Sequence, residues 1–376
     1  MWANYPSDLL ARLFFQLEDV LTLLFARLGS PPWLHGAFVL GMYRGLAWVV
    51  SVMLPPMAIF FPLFTLLEDF GYLPRLAFNL DGLFQKAGAH GKQSLTMAMG
   101  FGCNAAGVTA TRIIDSPRER MVAMLTNNFV PCNGRFPILI VMGTIMASLV
   151  AGTPKGAYVA AVVVLIALIV SVFATLIISK LLTSTILRGE PSFFILELPP
   201  YRLPQVGTVL IRSFLDRTLA VLWRAVLVAA PCGMIIWILA NATIGGTTLL
   251  THLAQWLNPL GEAIGLDGVI LLGFVLGLPA NEIVIPIIFM GYLSAGALME
   301  IQGLAAIETI LVGNGWTWLT ALNFMIFAIF HWPCATTLLT IAKETKSLKW
   351  TLLSAFLPTA VGASVCFMLT KLANLL

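Results

Sequence analysis

The stretch QSLTMAMGFGCNAAGVTAT, Gln93–Thr111, is an apolar segment with polar residues and glycines at its centre. Basic side chains flank it on both sides: Arg75, Lys86 and Lys92 before it, and Arg112, Arg118 and Arg120 after it. The central GFGCN contains two glycines, which permit a bend in the backbone. Whether the segment crosses a membrane or bends back within it decides the fold.

The composition of the whole chain is that of a membrane protein. Of its 376 residues, 59% are hydrophobic and 10% are charged, whereas a soluble domain carries about 25% charged residues. The mean hydropathy is +0.94. Several uncharged runs reach the length of about 20 apolar residues that crosses a bilayer, the clearest being Leu46–Leu67, Ala157–Ser179, Trp316–Ala342 and Trp350–Thr370. The net charge of +4 comes from loop residues and indicates topology, not nucleic-acid binding.

The distribution of lysine and arginine predicts that Gln93–Thr111 is a re-entrant hairpin. Basic loops of membrane proteins lie on the cytoplasmic side, so a crossing segment would leave one of the two flanking basic groups outside. A second segment, 268–297, is broken by Pro279 and Pro286 and lies between connections without lysine or arginine. This second hairpin is predicted to return to the external side.

These patterns predict an all-α polytopic membrane protein with six spans and an external N-terminus. Each half has three spans and one re-entrant hairpin, and three crossings place the halves in opposite orientations. The expected units are an amphipathic surface segment at 1–36, a first repeat at 37–182, a cytoplasmic linker at 183–216 and a second repeat at 217–376.

The two halves are also similar in sequence. LDGLFQKAGAHGKQSLTMAMGFGCNA (80–105) aligns without gaps with LNPLGEAIGLDGVILLGFVLGLPANE (257–282), with seven identities in 26 positions. Three of the identical positions are glycines that precede the break. Inverted repeats with broken helices are typical of transporter cores, whereas the alternative is chance similarity between two apolar segments.

Glu282 lies in the second hairpin and indicates a functional site there. A carboxylate within the membrane costs about 2.5–3.5 kcal/mol, so such a residue usually has a function. Repeat symmetry places Asn104 opposite Asn281, and two Pro-Cys pairs follow the hairpins. Sulfur, oxygen and imidazole donors suit a borderline divalent ion such as Fe²⁺. The candidate ion ligands are Cys103, Asn104, Cys132, Asn281, Glu282, His331 and Cys334. Their spacing predicts His331 and Cys334 on one helical face, and Pro333 is expected to free a backbone carbonyl as a further ligand.

Each candidate also has a structural interpretation. The alternatives are small packing residues for Cys103 and Cys132, helix caps for Asn104 and Asn281, a helix-anchoring hydrogen bond for His331, and an ion pair between Glu282 and Arg135. Cys232 and Cys366 are interpreted as small apolar residues of membrane helices. Glu68 and Asp69 fit either a cytoplasmic vestibule or a solvated helix end.

The stretch GAHGKQS, 88–94, is superficially similar to a phosphate-binding loop, but Gln93 follows Lys92 where that loop requires serine or threonine. No nucleotide is expected to bind by that route. Glu282 and His331 could form an acid–base pair, but no nucleophile-and-base spacing accompanies them. The chain is therefore not expected to be an enzyme.

At several stretches the sequence resembles the membrane domain of the FeoB ferrous-iron transporters. The matching stretches occur in the family's order from about residue 40 onward: LLEDFGYLPRLAFNLDGLF (66–84), GFGCNAAGVTATRIID (100–115), RERMVAMLTNNFVPCNGRFPI (118–138), ANEIVI (280–285) and HWPCATTLLTIAKETKSLKW (331–350). The chain departs from the family pattern at Ala105-Ala106, Pro131, Asn281 and His331, where Val-Pro, serine, lysine and tyrosine are usual.

The resemblance implies two inverted gate repeats that move Fe²⁺ across the bacterial inner membrane into the cytoplasm. By position, it assigns the ion path to Cys103, Asn104, Cys132, Glu282 and Cys334. The alternatives are a nucleoside or other small-solute carrier and a non-transporting, metal-sensing membrane subunit. Residue types do not separate Fe²⁺ from Mn²⁺.

Typical family members begin with a cytoplasmic G domain, which this sequence lacks. The expectation is therefore either the membrane half of a split transporter or a relative without a G domain. The chain is expected to lie in the lipid bilayer and to have three protein partners. They are a separate G protein that docks on basic loops 180–217 and 343–349, a small FeoA-like subunit and a further copy of the chain.

Overall fold

Helices form nearly all of the structure, a computed structural model that describes residues 4–151, 156–189, 206–299, 301 and 303–375. The helices of the first half are α1 (Asn4–Arg27), α2 (Pro32–His35), α3 (Arg44–Asp69), α4 (Tyr72–Lys86), α5 (Gln93–Gly102), α6 (Asn104–Ala110), α7 (Pro117–Thr126), α8 (Phe136–Ala151) and α9 (Gly156–Ser184). A π-helical turn, Gly36–Tyr43, joins α2 to α3.

The second half repeats this pattern. Its helices are α10 (Val206–Arg212), α11 (Leu219–Asn241), α12 (Leu249–Ala263), α13 (Gly268–Leu276), α14 (Val284–Tyr292), α15 (Leu304–Gly313), α16 (Trp318–Phe330), α17 (Ala335–Thr345) and α18 (Leu348–Ala373). Two short antiparallel strands, β1 (Thr243–Ile244) and β2 (Thr247–Thr248), pair Thr243 with Thr248.

Six helical stretches among the described residues are long and apolar enough to cross a membrane. They are Pro32–Asp69, Pro117–Met146, Tyr158–Ser184, Ser213–Asn241, Trp318–Thr345 and Leu348–Ala373. These are the six predicted spans, so the polytopic all-α fold class is confirmed. The second and fifth are interrupted: backbone breaks separate α7 from α8 and α16 from α17, and each break contains one Pro-Cys pair.

The first hairpin folds back on itself, as predicted. Cys103 separates α5 from α6 with extended backbone angles, φ −156° and ψ 122°. In a continuous helix Thr96 and Gly107 would be about 16 Å apart, yet a Cβ atom added at Gly107 would lie 2.8 Å from Thr96 O. Lys92 Nζ, just before α5, lies 2.8 Å from Asp115 Oδ2, after α6. Both ends of the hairpin are therefore on the same side.

The second hairpin has the same geometry. Ala280 adopts φ −156° and ψ 130°, almost the angles of Cys103, its counterpart in the alignment. Its two helices, α13 and α14, pack antiparallel, because a Cβ atom added at Gly291 would lie 2.6 Å from Val269 Cγ1. Its ends meet through a hydrogen bond that the Tyr292 hydroxyl donates to Asp267.

The internal repeat extends to individual hydrogen bonds before each hairpin. In the first half Gly91 N donates to Asp81 Oδ1 at 2.8 Å. At the aligned positions of the second half, Gly268 N donates to Asn258 Oδ1 at 3.0 Å. Gly88 and its counterpart Gly265 both have left-handed backbones, φ +69° and +71°, which favour glycine. Shared contacts of this kind are not expected from chance similarity.

Tight packing of the first hairpin leads to a stability prediction. A Cβ atom at Gly107 would lie 2.6 Å from Asn127 Oδ1 as well as close to Thr96 O, so Gly107→Ala is expected to destabilise the protein by about 1–3 kcal/mol. Gly82→Ala is the control, because nothing lies within 4 Å of a Cβ there. Thermal unfolding of the purified protein in detergent compares the two; equal melting temperatures would contradict the hairpin packing.

The N-terminal helix α1 packs along α3. Glu18, buried on α1, pairs with Arg44, and Tyr43 Oη donates to Phe14 O at 2.9 Å. Leucines on the opposite face of α1 are exposed, in keeping with an amphipathic segment, whose position on the membrane surface stays a prediction. Residues 190–205 of the expected linker lie outside the described residues.

Candidate ion-binding site

The two hairpin tips and the two breaks in the spans meet around one small cavity, with α3 closing its side. The cavity measures about 30 Å³, and about 10–15 Å³ is enough to hold one water molecule. Six of the seven predicted residues line it: Cys103, Asn104, Cys132, Asn281, Glu282 and Cys334. Both halves of the chain therefore contribute to one small cavity lined by sulfur and oxygen groups.

The three cysteines of the cavity come from three different backbone breaks. Cys103 is at the tip of the first hairpin, Cys132 is between α7 and α8, and Cys334 immediately precedes α17. Cys132 Sγ lies 3.8 Å from Asn281 Nδ2, which joins the first half to the second. Cys334 Sγ lies 3.3 Å from Thr337 Oγ1. All three are free thiols.

The remaining two cysteines are separate from the cavity, in agreement with their interpretation as apolar residues. Cys366 is fully buried on α18 and donates to Asn323 O at 3.4 Å. Cys232 is partly buried on α11. They provide matched controls for the three cavity cysteines.

Glu282 directs a carboxylate into the cavity from the second hairpin. Among the described residues it has no ion-pair partner. The alternative ion pair with Arg135 is therefore not formed. Gly134 leaves the space that the carboxylate occupies, since an added Cβ there would collide with Glu282 Oε1.

Arg135 instead caps the break in the other half. Its side chain is fully buried, and its Nη1 and Nη2 donate to Ile329 O at 2.6 Å and to His331 O at 3.1 Å. Pro333 lacks the N–H that would bond Ile329 O in a continuous helix. The carbonyl that Pro333 was expected to free as an ion ligand is thus already bound by the guanidinium.

His331 supports the site from outside the cavity. The break at Pro333 gives His331 and Cys334 extended backbones, so their expected position on one helical face is not found. His331 Nδ1 lies 2.9 Å from Ala328 O, which can only accept, so this nitrogen carries a proton. Nε2 lies 3.2 Å from Asn281 Oδ1. The imidazole therefore anchors the end of α16 through Nδ1, and its Nε2 edge lies against the Asn281 side chain.

Asn104 links the first hairpin to the break between α7 and α8. With its amide oriented to satisfy its hydrogen bonds, the side-chain nitrogen donates to Gly100 O at 3.1 Å and to Val130 O at 3.2 Å. Asn127 Nδ2 in turn donates to Asn104 O at 3.0 Å. These are the contacts of a helix cap, the structural alternative for this residue, and Asn104 also lines the cavity.

Sequence reasoning missed Met53 and Met57, which line the cavity from α3. Their spacing of four residues around Pro55-Pro56, in MLPPM, is visible in the sequence but does not distinguish them from other apolar residues of a span. Among the described residues, no three histidine, cysteine, aspartate or glutamate side chains form a group that could hold a metal ion. The cysteines and Glu282 that line the cavity therefore do not form a closed metal-binding cage in this conformation.

A larger cavity of about 490 Å³ lies beside the ends of the first hairpin. Glu68, Lys92 and Arg224 contribute charged groups to its wall, whereas Asp69 is exposed outside it. Phe61 and Val221 line this cavity and pack in one apolar cluster with Met57 and Cys103 of the smaller one. An apolar barrier therefore separates the two cavities.

Comparisons with known proteins agree with this architecture. The family model described as "Gate: Nucleoside recognition" matches residues 50–146 and 222–348, together more than half of the chain. The model described as "Ferrous iron transport protein B C terminus" matches residues 164–216. No solved structure matches significantly.

Curated relatives are named as iron transporters. The chain is similar to the Fe(2+) transporter FeoB of Staphylococcus aureus (strain MSSA476), with 29% identity over 93% of the chain and 50% of the relative. It is also similar to the Fe(2+) transporter FeoB of Methanocaldococcus jannaschii, with 27% identity over 87% of the chain and 48% of the relative. A fusion protein of Fe(2+) transport protein A and FeoB from Porphyromonas gingivalis is 24% identical over 89% of the chain and 44% of the relative.

The chain spans about half the length of these curated relatives. The Gate match covers both hairpins and both broken spans, which carry the cavity residues. The chain therefore belongs to the Gate family and is a membrane domain of the FeoB family.

Proposed function

We propose that this chain transports Fe²⁺, or a related divalent transition metal, across the bacterial inner membrane into the cytoplasm. The observation that carries the proposal is the convergence of three cysteines, Glu282 and three asparagines on one cavity of about 30 Å³. Sulfur and oxygen donors together suit a borderline divalent ion. The names of the similar curated proteins support the same substrate.

The proposed path continues from the ion site through the 490 Å³ cavity, which serves as the cytoplasmic vestibule. The loops at the ends of the first hairpin carry Lys92, Arg112 and Arg118, and the positive-inside rule favours the cytoplasm for them. The same rule favours an external N-terminus. In this scheme Phe61 and its neighbours must separate for the ion to pass.

The proposed units are the surface segment 1–36, gate repeats 37–182 and 217–376, and the cytoplasmic linker 183–216. The proposed partners are a separate G protein and a small FeoA-like subunit, and the fusion protein from Porphyromonas gingivalis supports the second. Lys343, Lys346 and Lys349 are exposed around the end of α17 and belong to the proposed docking surface of the G protein. Assembly of several copies is a further proposal. The chain acts as a transporter, with any GTPase activity on the separate partner.

A second candidate is a nucleoside carrier, because the matching Gate model is described by nucleoside recognition. Small-molecule pockets measure about 300–1,000 Å³, whereas the central cavity measures about 30 Å³. The size of the central cavity therefore favours an ion at that position, whereas the 490 Å³ cavity is within the small-molecule range. A metal-sensing subunit that binds iron without passing it is the third candidate.

Uptake by the purified chain in proteoliposomes separates these candidates. We expect radioactive Fe²⁺ to accumulate under anaerobic, reducing conditions, with thiol reagents blocking uptake and nucleosides leaving it unchanged. Protein-free vesicles are the control, and a parallel series includes a candidate G-protein partner. Nucleoside uptake without Fe²⁺ uptake would establish the second candidate, and iron binding without accumulation the third.

A further inference from the structure

We propose that Met53 and Met57 are thioether ligands of the transported ion and bias the site toward Fe²⁺ over the harder Mn²⁺. This inference rests on the proposed function and deepens it. It concerns α3, a span that carries none of the candidate ligands found in the sequence.

The position of the two methionines carries the inference. They are one helical turn apart, so their side chains lie on the same face of α3. Both line the cavity that contains Cys103, Cys132 and Cys334. Met57 is buried and packs in one cluster with Cys103, and Met53 is partly buried at the edge of that cluster. Five sulfur-containing side chains thus surround a space for one ion.

The chemistry of thioethers explains what the methionines add. A thioether is a soft, neutral donor that has no proton to release, so it binds an ion without the deprotonation that a thiol requires. Soft sulfur ligands disfavour Mn²⁺, which prefers carboxylate and carbonyl oxygen. Glu282 and the asparagines attract divalent ions in general, whereas the methionines supply discrimination among them.

The alternative is that both methionines only fill space, which is a common role of this residue. Leucine has a similar volume, and an exchange of methionine for leucine costs less than about 1.5 kcal/mol in most cores. A packing role therefore survives Met53→Leu/Met57→Leu, whereas ion ligation does not. Met142→Leu is the matched control, because Met142 is buried in a different cluster, away from the cavity.

X-ray absorption at the iron edge tests ligation directly. The full chain is produced with selenomethionine, loaded with Fe²⁺ under anaerobic conditions and compared with the selenomethionine-labelled double variant. We expect a selenium shell around iron in the unchanged chain and in Met142→Leu, and its loss in Met53→Leu/Met57→Leu. Bound iron without a selenium shell would overturn the inference and leave the proposed function intact, whereas failure of the chain to bind iron would overturn both.

Competition uptake tests the consequence for selectivity. In proteoliposomes, the Mn²⁺ concentration that halves Fe²⁺ uptake is expected to fall about tenfold in the double variant. Met142→Leu is expected to behave as the unchanged chain does. Unaltered competition in the double variant would contradict the role in selectivity.

Discussion

Arg135→Met is expected to leave little folded protein, the largest effect on stability of any single substitution considered. The guanidinium donates to Ile329 O and His331 O, and longer bonds reach Asn128 O and Trp332 O. Hydrogen bonds to charged groups contribute about 1.5–3 kcal/mol each, so loss of the two shorter ones costs about 3–6 kcal/mol. Methionine fills similar space but leaves buried carbonyls without a donor.

The control for this substitution is Arg188→Met. Arg188 also donates to a backbone carbonyl, Ser184 O at 2.8 Å, but it is exposed, so water can replace it. Yield and thermal unfolding in detergent, followed by size-exclusion chromatography, measure both variants. An Arg135→Met protein as stable as the Arg188→Met protein would show that the cap on the break is dispensable.

Glu282→Gln is expected to lower Fe²⁺ uptake by about tenfold or more while the protein remains folded, since about 1.4 kcal/mol of lost ion attraction corresponds to a factor of ten. Glu282 supplies the only carboxylate of the cavity among the described residues, and no arginine or lysine neutralises it there. Glutamine keeps the shape and the oxygen but removes the charge. Uptake into proteoliposomes and melting temperature are measured on the same preparation.

Glu262→Gln is the matched control for Glu282→Gln. Glu262 is exposed on α12, where it accepts a hydrogen bond of 2.6 Å from Asn258, so the loss of its charge is expected to leave uptake unchanged. Equal uptake by both variants would remove Glu282 from the ion path. If the melting temperature and the uptake of Glu282→Gln both fell, the residue would be assigned a structural role instead.

The fold could be predicted because its main signals do not depend on packing. The lengths of apolar runs locate the spans, and Lys92 and Arg112 on either side of the first hairpin require its return to one side. The helix α15 (Leu304–Gly313), in the connection between the second hairpin and α16, was not predicted. It is ten residues long, too short to cross a membrane.

The residues that line the central cavity could be identified from the sequence where their type is unusual for a membrane segment, and were missed where it is ordinary. Glu282 and Asn104 are polar within apolar segments, so they stand out. Met57 has the same hydrophobic character as its neighbours, and only the packing of α3 against the hairpin tips identifies it. The place of His331 was inferred from helical spacing, which fails because Pro333 ends the regular backbone.

The five cysteines allow the most direct test of the central claim, that the breaks in both halves create one ion site. Two variants separate the cavity cysteines from the others. In Cys232→Ser/Cys366→Ser the two cysteines outside the cavity are replaced, and in Cys103→Ser/Cys132→Ser/Cys334→Ser the three cavity cysteines are replaced. Anaerobic Fe²⁺ uptake by proteoliposomes, normalised to folded protein, is the measurement. We expect uptake near that of the unchanged chain in the first variant and near that of empty vesicles in the second. Equal uptake by the two variants would contradict the claim.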